Sequence, residues 1–241
     1  MGTNKLTTVK LGLMGYEEAL ALQMKIQKLV SLNRLSHILL ILEHPPVITM
    51  GSGAKLENIL ADPEFLKEKG IEIFKTGRGG DVTYHGPGQI VGYPILNLNE
   101  LGKDVKAYVR KLEEVTIRLL KSEYGIDAGR NSGFTGVWVG NEKITAIGCS
   151  VKRWVTMHGF AFNVNTDMEG FALIHPCGII DKGVTSLKNI MGVTQDMQKN
   201  MDLVIDFFGK TFHLECEAMD LQIFLNKIKE LTYECEQTGL A

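Results

Sequence analysis

The sequence predicts a mixed α/β fold of the α+β type: one domain, residues 1–241, whose mixed and largely antiparallel β-sheet is flanked by helices. Two observations carry this. Some strand-like runs pair as a hairpin, residues 137–139 and 143–147 around Gly140-Asn141-Glu142, while others are separated by helix-length amphipathic segments. Neither a pure βαβ alternation nor an all-β pattern accounts for both. The 241 residues, 44% of them hydrophobic, also suffice for a substantial core, and no repeat, low-complexity tract or Pro/Ser-rich linker divides them.

Taken in order, residues 8–13 read as a strand and 17–31 as a helix with Ala19, Leu20, Ile26, Leu29 and Val30 on one side. Residues 37–43 form a buried strand ended by Pro45-Pro46, and 47–50 a short second one. Asp62 caps a helical turn over 63–69, ahead of the alternating strand 71–75. A glycine-dense loop follows, and residues 89–98 leave it as a strand. Asp104 opens the clearest helix, with Val105, Tyr108, Val109, Leu112, Leu119 and Leu120 at helical spacing and Gly125 as its stop. Residues 159–165 alternate aromatic or aliphatic with small or polar side chains, so one face packs and the other looks into a polar or ligand-facing space. Helices at about 195–210 and 218–232 make residues 195–241 a C-terminal helical part.

Composition excludes several function classes. A formal net charge of −2 supplies no global basic field for nucleic acid or an anionic membrane. The longest apolar runs, such as Ile38-Leu39-Leu40-Ile41-Leu42, fall far below the roughly 20 residues that cross a bilayer. No signal-peptide core or arginine-rich transit pattern opens the chain, and the expected address is cytoplasmic. Cys149, Cys177, Cys216 and Cys235 include no C-x-x-C pair, which argues against a zinc ribbon or thioredoxin-type motif.

Gly77, Gly79, Gly80, Gly86 and Gly88 fall within twelve residues, a density that lets backbone approach a ligand without Cβ clashes. Neither G-x-G-x-x-G nor G-x-x-x-x-G-K-[ST] is satisfied, so the nucleotide signatures fail. Arg78, Asp81, Thr83, Tyr84 and His85 crowd the same segment, whereas a plain turn needs only Gly, Asn or Pro. Far downstream, His175-Pro176-Cys177-Gly178 presents one thiol in a tight turn.

The segment from Arg78 to Gln89 resembles the signature of the lipoyl(octanoyl) transferases of lipoate biosynthesis, relatives of lipoate and biotin protein ligases. The resemblance extends to His44-Pro45-Pro46, to residues 136–140 with Glu142-Lys143-Ile144, to Ala146-Ile147-Gly148, to residues 158–165 and to Pro176-Cys177-Gly178. It implies the biotin/lipoate protein ligase catalytic fold. It also implies Cys177 as the acyl-carrying nucleophile and Lys143 as the residue that lowers its pKa and moves protons. Arg78, Gly79, Gly80, Asp81, Val82, Thr83, Tyr84 and His85 would line the substrate site, with Ala146, Ile147, Gly148, Gly159, Phe160 and Ala161. The implied reaction moves an octanoyl group from octanoyl-acyl carrier protein through a Cys177 thioester to a lysine of lipoyl domains, in 2-oxoacid dehydrogenase complexes and the glycine cleavage H protein.

Chemistry supports that assignment of roles. An ordinary cysteine has a pKa near 8.5, so only a few per cent is thiolate at neutral pH. An ammonium about 4 Å away contributes roughly 1–4 kcal/mol toward the thiolate. Thioester to thioester is nearly isoenergetic and thioester to amide runs downhill, so no cofactor and no ATP is expected. His85 and His158 are alternative bases and are given positioning roles. Ile147, Phe160 and Tyr84 are candidate walls of an apolar acyl slot, and Lys152-Arg153-Trp154 is a candidate receiver of the acidic carrier protein. A metal is disfavoured, because His175 and Cys177 are two apart with proline between and no H-E-x-x-H occurs. Two other readings stay open: an ATP-dependent lipoate-protein ligase, which would not need Cys177, and a non-catalytic acyl-binding protein of the same fold.

Overall fold

Apolar alternation along one strand sets the layering. In β2 (His37–Glu43), Leu39 and Ile41 enter one core while Ile38, Leu40 and Leu42 enter another on the opposite face, so both sides of the strand are buried. The computed structural model describes residues 4–175 and 182–239. β1 (Lys5–Leu13) runs parallel to β2 because α1 (Tyr16–Ser31) crosses over between them. β3 (Val47–Met50), α2 (Pro63–Glu68), β4 (Glu72–Lys75) and β5 (Val82–His85) then build a small separate sheet, ordered β4-β3-β5.

The chain returns through β6 (Gln89–Ile95), α3 (Val105–Tyr124), β7 (Gly129–Asn131), β8 (Phe134–Val139), β9 (Glu142–Lys152) and β10 (Val155–Asn163). After a 3₁₀ turn at Met168–Leu173 come β11 (Gly183–Val184), α4 (Leu187–Met191), α5 (Met197–Phe212), β12 (Glu215–Ala218) and α6 (Leu221–Gln237). Among the described residues the main sheet has nine strands in the order β12-β1-β2-β6-β10-β9-β8-β7, with β11 beside β9. Within the main sheet, pairing is parallel at β12-β1, β1-β2 and β11-β9 and antiparallel at every other pair, as the mixture of hairpins and crossovers implies.

Helices α3 and α5 cover one face of the sheet over Ile90, Phe160 and Phe162, and α1 and α6 cover the other over Val9, Val91 and Ala161. α3 is held at both ends by the residues its sequence offers: Asp104 Oδ1 accepts the Ala107 N–H at 3.0 Å, and Gly125 closes it at φ +65°. Asp62 likewise accepts the Glu64 N–H at the start of α2.

Two elements depart from the sequence reading. The glycine segment is not loop throughout, because β5 occupies its centre and pairs antiparallel with β3. The C-terminal part is not purely helical either: β12 adds to the edge of the main sheet in register Lys5↔Glu215 to Thr8↔Ala218. Its sequence, Glu-Cys-Glu-Ala, is only four residues long, with the charges typical of a short edge strand and only small apolar residues between them, which hid it.

Candidate active site

The small sheet delivers Arg78 to the main one. Its guanidinium is buried and donates from Nη2 to the Thr49 carbonyl at 2.7 Å and the Asp81 carbonyl at 2.7 Å. Nε donates to Thr49 Oγ1 at 3.2 Å and Nη1 to the Gly79 carbonyl at 3.2 Å. Arg78 therefore braces its own loop. That loop reaches β9, where the Gly79 N–H donates to the Cys149 carbonyl at 2.9 Å. Contact this close requires glycine opposite: a Cβ on Gly148 would stand 2.8 Å from the Gly79 oxygen, and Gly80 itself turns at φ +90°.

β9 and β10 supply the facing wall. Their register sets Ala146 against Ala161, Ile147 against Phe160 and Gly148 against Gly159. Lys143 stands near the start of β9, 7% exposed, with Nζ 4.9 Å from the centre of the Trp138 ring. β11 runs beside it, pairing Val184 with Lys143, and the Thr185 N–H donates to the Lys143 carbonyl at 3.0 Å. On the other flank the His175 N–H donates to the Asn58 carbonyl at 2.8 Å. Cys177 lies outside the described residues.

Arg78, Gly80, Asp81, Val82, Thr83, His85, Lys143, Ala146, Ile147, Gly148, His158, Gly159, Phe160 and Ala161 surround one inner cavity of about 50 Å³. Gly79 lines a larger outer groove of about 570 Å³, which shares Gly80, Asp81, Lys143, Ile147 and Gly148 with the cavity. Tyr84, expected as a wall of the slot, does not line the cavity. Strand alternation in β5 turns Thr83 and His85 toward the cavity and Tyr84 to the opposite face, where its ring meets Phe171 edge-on at 5.6 Å. Lys152, Arg153 and Trp154 lie at the far β9–β10 turn and line neither space. Among the described residues no group of three or more His, Cys, Asp or Glu side chains could hold a metal ion.

One side of the cavity is a polar layer that sequence reasoning did not assemble: Tyr16, His85, Tyr93 and His158 line the space, and His44 packs behind them. His44 Nδ1 is 2.7 Å from the Met14 carbonyl, which can only accept, so Nδ1 carries the proton and Nε2 accepts from the Tyr93 hydroxyl at 2.8 Å. His85 is fixed the same way. Gln89 spends its Nε2 on Asn163 Oδ1 at 2.9 Å, which turns its Oε1 toward His85 Nδ1 at 2.7 Å. Burial is the largest cause that pushes His85 down to about 3, and the neighbouring His44, Arg78 and His158 add to it against the Gln89 hydrogen bond. Burial likewise takes His44 to about 4 against its Met14 hydrogen bond, and His158 to about 4 with help from Arg78. All three rings are neutral at pH 7.

His158 is the exception within this layer. It is 2% exposed, its Nε2 has no hydrogen-bond partner among the described residues, and its backbone sits at φ +59° with its N–H donating to Gln23 Oε1 at 2.9 Å. A non-glycine residue held in the left-handed region inside a strand is strained. Tyr16, Tyr93 and His44 were not singled out as site residues. The available signal was a histidine at the end of an apolar strand and a tyrosine inside another, places where a polar ring must find a partner.

The model of the lipoyl protein ligase A/B catalytic domain matches residues 15–209, most of the chain. This protein belongs to that family. Within it, the chain is 56% identical over 216 residues to an octanoyltransferase of Desulforamulus reducens, covering 90% of this chain and 95% of the relative. It is 54% identical to an octanoyltransferase of Caldicellulosiruptor saccharolyticus, covering 86% and 89%. The fold resembles lipoate-protein ligase A bound with ATP (TM-score 0.71, 16% identity, 98% of this chain and 94% of that one). It also resembles the bi-partite lipoate protein ligase of Thermoplasma acidophilum (TM-score 0.69, 16% identity, 98% and 92%). The lipoyl protein ligase A/B domain thus spans both layers of the site, while α6 lies beyond the matched residues.

Proposed function

We propose that this protein is an octanoyltransferase that takes an octanoyl group from octanoyl-acyl carrier protein and delivers it to the lysine ε-amine of a lipoyl domain. The observation that carries the reading is the 56% identity to an octanoyltransferase across 90% of the chain. The burial of Lys143 where the inner cavity meets the outer groove supports it.

In the first half-reaction the Cys177 thiolate attacks the octanoyl thioester carbon. The bond to the pantetheine sulfur breaks, and the Lys143 ammonium gives its proton to that leaving thiolate. In the second, the acceptor amine attacks the octanoyl-Cys177 carbon, the amide forms, and the Cys177 thiolate departs. Lys143, now neutral, takes the proton the amine must lose, which restores the starting ion pair. The donor is already activated, so no ATP is consumed, and we place the reaction in the cytoplasm.

Arg78 holds the glycine loop, His85 supports Arg78 through Thr49, and His158 Nε2 offers a hydrogen bond to the bound acyl donor. Apolar burial at roughly 0.8 kcal/mol per methylene supplies chain-length selection, about 5 kcal/mol for the six methylenes of octanoyl. A cavity of about 50 Å³ has room for a few waters, so the acyl chain widens it on entry. Shortening the donor should lower kcat/KM by roughly fourfold for each methylene removed. The proposal is tested by isolating the acylated enzyme and adding an apo lipoyl domain without nucleotide. Gain of one octanoyl group by the domain is expected, and a domain that stays unmodified until ATP and free octanoate are added would contradict it.

A further inference from the structure

The outer groove does not stop at Lys143. It shares Val109, Gly133, Phe134 and Thr135 with a second hollow of about 490 Å³, which continues along α3 to Val105, Lys106 and Arg110. From Lys143 a single furrow thus leads from the buried cavity to the surface. Residues 105, 106, 109, 110 and 113 fall on one face of α3, so the helix flanks the outer hollow for about 12 Å, at 1.5 Å per residue.

The furrow changes character along its length. Next to the cavity its lining includes Gly53, Gly79, Gly80 and Gly148, which have no side chain and so present backbone to the space. Farther out the walls become apolar, at Val109, Phe134 and Val105, the last 38% exposed. The mouth is charged. Arg130 is held there by Glu113 Oε2 at 2.8 Å and Glu114 Oε2 at 2.8 Å, and its charge is spent on them. Lys106 and Arg110 are exposed, line the outer hollow and belong to no ion pair among the described residues. The mouth therefore carries cationic charge in excess of its two carboxylates.

We infer that this furrow is the docking channel for the acyl donor, receiving its phosphopantetheine arm with the phosphodiester at Lys106 and Arg110. The order of chemistry along the wall matches the order along the arm: thioester at Lys143, two amides against backbone, the gem-dimethyl group against Val109, Phe134 and Val105, and the anionic phosphodiester with its acidic carrier at the cations. The acceptor fits it poorly, since a lysine side chain is short and brings its own positive charge. The assignment rests on the transferase reading and adds a surface to it.

The test compares three donors, octanoyl-acyl carrier protein, octanoyl-phosphopantetheine and octanoyl-pantetheine, in the acylation of wild-type enzyme and of the double variant Lys106→Glu/Arg110→Glu. Wild type should use the phosphorylated arm at least tenfold better than the unphosphorylated one. The variant should lose that preference and at least tenfold in kcat/KM with the carrier protein, while octanoyl-pantetheine, which also reports an intact fold, changes less than twofold. Equal losses with all three donors, or none with the carrier protein, would overturn the channel. So would a loss confined to delivery from pre-acylated enzyme to the lipoyl domain, which would make the furrow the acceptor's. Failure of wild type to accept octanoyl from any donor would remove the transferase reading itself, a result no mouth variant can imitate.

Discussion

At the scale of single residues, the proposed chemistry is tested most sharply, among the described residues, at Lys143 and His158. Lys143 is buried, so its removal takes away charge that solvent cannot replace. In Lys143→Ala the iodoacetamide inactivation profile of Cys177 should move up by about 1–3 pH units, and an unmoved profile would count against the pair. His158 is neutral, strained and, among the described residues, unpartnered at Nε2. His158→Phe keeps the ring's bulk and removes the hydrogen-bonding nitrogen, so kcat/KM for acylation should fall about tenfold or more, the worth of one hydrogen bond of roughly 1.5 kcal/mol, while the melting temperature stays within a few degrees. Wild-type rates in that variant would make His158 purely structural. The individual lining residues were legible because they cluster in four short motifs, at residues 78–85, 142–144, 146–148 and 158–161. The histidine and tyrosine layer was not, since Tyr16, His44, Tyr93 and His158 come from four separated elements and meet only through folding.

At the scale of elements, the site depends on the small sheet lying against β9. Gly148→Ala would push a Cβ to 2.8 Å from the Gly79 oxygen and force the Arg78 loop away. A destabilisation of about 1–3 kcal/mol is expected, together with a loss of acylation larger than the thermal shift alone explains. Normal activity in a stable Gly148→Ala protein would show that the loop contact is dispensable. Helices α1, α3, α5 and α6 and strands β2, β3 and β4 were readable from periodicity and caps, to within a few residues at their ends. β5 was masked by flanking glycines and β12 by its charges, and both are strands only because a neighbouring edge, β3 or β1, supplies the hydrogen bonds.

For the whole molecule, the buried imidazoles couple stability to pH. His44, His85 and His158 have native values of about 4, 3 and 4, below the unfolded value near 6.5, so unfolding takes up protons between those limits. Stability is therefore full above pH 6.5 and lost as pH falls toward 4, at nearly 1.4 kcal/mol per pH unit for each histidine that titrates only on unfolding. Urea titrations at pH 7 and pH 5 should show that loss, and a pH-independent unfolding free energy would contradict the buried, neutral layer. The central claim is that Cys177 carries octanoyl without nucleotide. Intact mass after mixing the enzyme with octanoyl-acyl carrier protein and no ATP tests it most directly: one octanoyl adduct is expected, absent in Cys177→Ser, whereas an unmodified enzyme that instead consumes ATP with free octanoate would contradict it.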